Sequence, residues 1–327
     1  MNTSKTALVI GANGGIGKET CLALQRHGWQ VRALVRHPAA EGNQDGITWI
    51  KGDAMQQADV LAASEGVDVI VHAVNPPGYR DWETLVLPMV DNTIAAAKAN
   101  HARIVLPGTI YNYGPDAFPL LQEDAPQHPQ TRKGEIRVEM ERRLAAATNA
   151  GARVLIIRCG DFIGPHAGNT WFSQGLMKAG SPLKTLQYPG DYATGHAWAY
   201  LPDVAETIAR LLEREHELAA FERFHFGGYW LDGHDMLDAL RRVTNNPRLA
   251  AGHFAWWLTA ALAPFMETLR EVRKMRYLWQ SPVQLDDRKL VAFLGDKPYT
   301  PLEQALSTTL IATACMPSQA DALKQAA

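Results

Sequence analysis

The chain has 327 residues, of which 46% are hydrophobic and 20% charged, enough to bury one large core and a smaller lobe. Its 32 Lys and Arg against 34 Asp and Glu give a formal net charge of −2, which leaves no electrostatic footprint for nucleic acid or an anionic membrane, so neither is expected as a partner. Cys21, Cys159 and Cys315 lack ligand or redox spacing, and the N-terminus lacks the charged-then-apolar pattern of a secretory signal, so a reduced, cytoplasmic protein is expected.

The first element is a short apolar strand ending at Ile10, followed by Gly11, Gly14 and Gly17, three apart, and a helical pattern from Ile16. A strand that turns sharply into a helix gathers backbone N–H groups and the positive helix end at one point, and glycine lets a pyrophosphate come close. Gly11, Asn13, Gly14, Gly15, Ile16 and Gly17 are therefore expected to cradle a dinucleotide. The second strand runs from Gln30 to Val35. An NAD-binding unit places an acid at this tip to hold the ribose hydroxyls. Here Val35 stands there and Arg36 follows, a guanidinium suited to a 2′-phosphate, so NADP is expected over NAD. The plainer alternative is a solvated strand-end arginine.

Further strands are expected at 47–53, ending on Asp53, and at 67–72, which runs into the turn-rich loop 73–78. Helices at about 82–99 and 133–149 alternate with strands at 103–106 and 153–158. This spacing predicts right-handed crossovers and an α/β, doubly wound parallel sheet. Beyond Gly164 the pattern breaks into aromatic and Gly/Pro-rich loops, one strand and helix pair at 197–213, and a mostly helical C-terminal third. Residues 1–165, with 196–228 returning to them, are expected to form the dinucleotide-binding domain, and 166–195 with 229–327 a smaller substrate lobe.

The apolar stretch 254–266 contains Pro264 and is too short to span a bilayer, so it is read as a buried helix. The Ala-rich tail 318–327 is expected to fray. No histidine pair has metal-ligand spacing, and no nucleophile elbow is present, so no metal site is expected.

Together these segments resemble the extended short-chain dehydrogenase/reductase family, the Rossmann-fold group of NAD(P)-dependent epimerases, dehydratases and dihydroflavonol-type reductases. Gly11–Gly17 resembles its phosphate loop, and Asp53 with Ala54 its adenine side. Ala73, Val74 and Asn75 match the loop below the ribose, and Thr109 matches the catalytic Ser/Thr. Cys159, Gly160 and Ile163 fall in a segment similar to the one flanking the nicotinamide. The resemblance also makes a homodimer possible.

The family's Tyr-x-x-x-Lys pair is replaced by Lys133 and Arg137. Arg137 can hold a ribose and supply positive charge but cannot shuttle protons. Three roles stay open for Lys133: a proton donor with a depressed pKa, an oxyanion stabiliser, or a surface residue in a protein without catalysis. Tyr111 is the better placed phenol, since Tyr113 matches a structural position.

A second departure is His196, standing where sugar-nucleotide enzymes carry a diphosphate-gripping arginine, a weaker anion site. His196, Trp171 and Trp198 are the candidate substrate residues, in a lobe rich in aromatics. The leading expectation is an NADP-dependent oxidoreductase reducing a carbonyl or related group on an uncharged small molecule. The alternatives are a non-catalytic NADP-binding regulator or redox sensor, and an epimerase or dehydratase.

Overall fold

The structure is a computed structural model and describes residues 5–76, 78, 81–168 and 170–317. The expected frayed tail, 318–327, lies outside the described residues.

In chain order the elements are β1 (Thr6–Ile10), α1 (Gly15–Arg26), β2 (Gln30–Val35), β3 (Gly42–Gln44), β4 (Ile47–Lys51), α2 (Gln57–Ala63), β5 (Val69–His72), α3 (Trp82–Asn100), β6 (Arg103–Gly108), β7 (Leu120–Leu121), α4 (Arg132–Thr148) and β8 (Arg153–Cys159). The second half adds β9 (Asp161–Ile163), β10 (Thr185–Tyr188), β11 (His196–Tyr200), α5 (Leu201–Glu213), β12 (Phe221–Phe226), β13 (Tyr229–Leu231), α6 (Gly233–Val243), β14 (Ala250–His253), α7 (Trp256–Leu262), α8 (Glu267–Lys274), β15 (Gln284–Leu285), α9 (Arg288–Leu294) and α10 (Leu302–Ala312).

Eight strands form one sheet in the order β12-β8-β6-β5-β1-β2-β4-β3, parallel throughout except for β3. All five residues of β1 are buried because helices cover both faces. Ala7 and Val9 pack with residues of α1 and α5, such as Leu24 and Ile208, whereas Leu8 and Ile10 pack with Val86 and Met140 of α3 and α4. This is the doubly wound parallel sheet the sequence predicts. Strand order reverses between β1 and β5, which opens a crevice at their carboxyl ends.

The second lobe holds a separate core around Phe172, Trp198, Trp279, Met236 and Leu306. Two expectations differ from the structure here. Of the segment 196–228, α5 packs on α1 and β12 closes the main sheet beside β8, but β11 pairs with β9 and β13 in a small sheet of its own. The apolar stretch 254–266 is not a buried helix. Thr259 and Ala263 turn inward, while Trp257 is 74% exposed and Phe265 85% exposed. Apolar composition alone does not specify that a face is covered.

One buried ion pair fixes the elements around the crevice. Arg158 of β8 donates from Nη2 to both carboxylate oxygens of Glu141 in α4, each at 2.8 Å, and from Nη1 to the Thr109 carbonyl. Burial opposes the guanidinium's charge, but the adjacent carboxylate outweighs burial and holds Arg158 above its usual pKa. Asn112 and Gln127 also donate to Glu141, at 3.0 and 2.9 Å. Glu141→Ala is expected to leave Arg158 buried without its carboxylate and to cost about 3–5 kcal/mol, read as a lower urea midpoint at unchanged slope.

Candidate active site

The site forms where β1 and β5 part. Gly11 has φ +86°, and a Cβ there would meet the Val74 backbone at 2.7 Å, so only glycine allows the two loops to touch. Gly14 caps α1, its N–H donating to the Gly11 carbonyl at 2.9 Å. Their loop and the first turn of α1 floor a groove of about 470 Å³. Of the residues expected at the cofactor, Gly11, Asn13, Gly14, Gly15 and Ile16 line the end at the N-terminus of α1. Arg36, Asp53 and Ala54 line the far end, and Ala73, Val74 and Asn75 the side facing β5. Gly17 packs against the Gly11 carbonyl instead.

The groove continues into a second cavity of about 300 Å³, with Ile16, Ala73, Asn75, Phe162 and Thr170 bordering both. Thr109, Tyr111 and Arg137 meet on its wall. The Thr131 side chain caps α4 by accepting from Gly134 N–H at 3.2 Å. Gly134 in turn lies so close to the Tyr111 carbonyl that no side chain fits between them. Arg137, one turn along, donates to Asn75 Oδ1 at 3.1 Å and lies 5.0 Å from the centre of the Trp82 ring.

Lys133 ends elsewhere. Its ammonium donates to Glu271 of α8 in a buried ion pair, and Lys274 donates to the same carboxylate at 2.8 Å. Burial lowers the Lys133 pKa, opposed by its bond to Glu271. Lys133 does not border the cavity; α8, the helix it binds, walls it with Thr268, Leu269 and Val272.

Trp171 borders the cavity edge-on to Phe254 at 5.6 Å, but Trp198 is fully buried in the lobe's core. His196 reaches the cavity only through Asp161, which lines it. The ring bonds Asp161 at 2.7 Å and stacks on Trp279 at 3.9 Å. Cys159, Gly160 and Ile163 border neither space, whereas Asp161 and Phe162 do. Burial pushes the Cys159 thiol pKa up, and Gly160 packs against Ala197 of β11. His72 also lines the cavity, and burial holds its pKa down at about 3, with the Arg137 charge adding to the effect, so it is neutral. Sequence order gave no signal for α8, and Phe254 lay in a stretch read only as a buried helix, while Asp161, Phe162 and His72 lie inside segments already singled out.

A glycine cradle at a strand-order reversal, opening into a side cavity, defines a Rossmann-type dinucleotide-binding protein. The chain belongs to the NAD dependent epimerase/dehydratase family, whose profile matches residues 7–227. Among solved structures, MoeE5 in complex with UDP-glucose and NAD matches with TM-score 0.73 and 18% identity, covering 94% of this chain and 98% of that one. A UDP-galactose 4-epimerase matches with TM-score 0.70 and 17% identity over the same shares.

A 2-alkyl-3-oxoalkanoate reductase of Shewanella oneidensis is 33% identical over 97 residues, 28% of this chain and 25% of that protein. An isoflavone reductase homolog of Zea mays is 33% identical over 89 residues, 24% of this chain and 29% of the maize protein. The chain thus matches only about a quarter of the length of these relatives. Among the described residues, no cluster could hold a metal ion and no helix is long and apolar enough to cross a membrane.

Two glycine variants separate binding from folding. A Cβ at Gly14 would have only the Gly11 carbonyl oxygen near it, at 3.3 Å, whereas one at Gly17 would strike the Gly11 carbonyl group. Gly14→Val is expected to keep its circular dichroism and lose dinucleotide affinity, and Gly17→Val to lose the fold itself.

Proposed function

We propose that the protein is an NADP-dependent oxidoreductase that reduces a carbonyl or related group on an uncharged small molecule. The observation that carries the reading is the continuity of the glycine-floored groove with an aromatic-walled cavity whose wall bears Thr109, Tyr111 and Arg137. The groove fits a dinucleotide: Gly14 leaves room for a pyrophosphate at the N-terminus of α1, and Arg36 is exposed at the opposite end, where a 2′-phosphate would lie. An NADPH held at Gly14 and Arg36 would supply the hydride that such a reduction needs.

The chain's own residues handle the oxygen. Tyr111 gives it a proton, the Thr109 hydroxyl steadies it, and Arg137, held by Asn75, binds the ribose and adds positive charge. Lys133, tied to Glu271, serves as a strut. The Shewanella relative, by name a reductase of an oxo compound, supports carbonyl reduction. MoeE5, in complex with UDP-glucose and NAD, favours a second reading, an epimerase or dehydratase using NAD. Against it stands His196, buried against Asp161 and Trp279, where a diphosphate would call for an exposed guanidinium.

A screen of aromatic ketones, enones and aldehydes, followed by NADPH absorbance, tests the reading. Turnover is expected for at least one class, and Tyr111→Phe should lower it by about 10²–10⁴ without weakening the cofactor. If NADPH binds and nothing turns over, the regulator reading takes its place. Calorimetry tests the cofactor choice separately. Arg36→Ala should cost about 1.5–3 kcal/mol for NADPH and little for NADH, and equal wild-type affinities would overturn the NADP assignment.

A further inference from the structure

Among the described residues, five exposed large apolar side chains, Trp257, Leu258, Leu262, Phe265 and Met266, lie on α7 and the turn after it. Trp257, Ala261 and Phe265 follow at i, i+4 spacing, with Leu258 and Leu262 beside them, so one face presents them together. Phe265 is 85% exposed, Trp257 74% and Met266 48%. Soluble proteins rarely leave large aromatic and aliphatic side chains grouped in water without a partner.

Charge and position identify that partner. The helix packed against α7 is α8, and from there to the end of the next turn four cations are exposed, Arg270, Arg273, Lys274 and Arg276, against a single exposed acid, Glu267. Glu271 is buried and neutralised by Lys133 and Lys274. Trp and Phe at an apolar tip with Arg and Lys alongside is the pattern of a helix lying in a bilayer interface.

A stable contact between two copies takes roughly 20–30 residues a side, more than one short helix and a turn provide. The same segment also walls the second cavity on both flanks of the tip, with Phe254 before it and Leu269 and Val272 after it. An exposed apolar tip set between two segments that wall the cavity, with cations beside it, suits a lipid surface better than a protein partner.

We infer that α7 and the turn to Met266 form a docking face for an anionic lipid bilayer. This reverses the expectation, drawn from overall charge, that no membrane is a partner; the cationic patch is local and is averaged out in the total. The tip inserts among the lipid headgroups and the Arg and Lys side chains meet the phosphates. That substrate reaches the cavity from the bilayer is a corollary that rests on the reductase reading; the docking does not.

Flotation of the full chain with vesicles of phosphatidylcholine containing phosphatidylglycerol tests the docking without cofactor or substrate. The wild type should float with these vesicles, less so in high salt. Trp257→Glu with Phe265→Glu should lower the bound fraction by at least about tenfold at unchanged circular dichroism, and Arg270→Gln with Arg273→Gln should flatten the salt dependence. Failure of the wild type to float, or equal flotation of the tip variant, overturns the inference. So does a dimer in light scattering that the tip variant converts to monomer, which assigns the face to a second copy. A protein that floats but reduces nothing leaves the docking standing and removes only the reductase reading.

Discussion

The arrangement of the candidate site depends on the buried bond between Arg158 and Glu141. Neither charge could be held inside the protein alone, because desolvation costs several kcal/mol per ion. Here every neighbouring element contributes to offsetting that cost. Glu141 is bonded by Arg158, Asn112 and Gln127, and Arg158 also donates to the Thr109 carbonyl. The pair therefore locks the end of β6, the loop carrying Tyr111 and the register of α4 into one unit. Arg137 lies one helical turn from Glu141 on α4, so the bond that fixes the carboxylate also aims the guanidinium at Asn75.

Within that frame, the residue at the start of α4 has a different task from the one its position suggests. Lys133, flexible and charged, meets Glu271, and the bond fastens α8 against α4 where α8 walls the cavity. Among the groups on the cavity wall that carry a proton, Tyr111 and Thr109 stand on the loop beside Arg137, while Asp161 is bonded by His196. On this account acid chemistry moves from the helix to the loop, while positive charge stays with Arg137. The aromatic walls from Trp171 and Phe254 set an apolar character that a guanidinium in place of His196 would have altered.

The parallel sheet, the glycine turn and the strands β1, β2, β4, β5, β6 and β8 were legible in the sequence because they rest on local signals: strand-length apolar runs, glycines at fixed offsets and helices long enough for crossovers; the short β3 and β7 carried no such signal. That Gly11 to Ile16 and Ala73 to Asn75 line one groove was legible for the same reason, since they come from two adjacent loops. What the sequence hid were pairings at long range. Glu271 lies 138 residues from Lys133, and no periodicity announces a partner that far away. Within the segment after β8, Asp161 and Phe162 reach the cavities while Cys159, Gly160 and Ile163 pack elsewhere, a division that no local pattern announces. The stretch 254–266 was misread because hydrophobicity reports a preference to leave water without naming what provides the cover.

The claim on which the account turns is that Tyr111, and not Lys133, faces the reacting oxygen. A crystal structure of the chain with NADPH and an unreactive carbonyl analogue measures this directly. The account predicts the analogue's oxygen within hydrogen-bond reach of the Tyr111 hydroxyl, with the Lys133 ammonium still on Glu271. An ammonium released from Glu271 and bonded to that oxygen would contradict it.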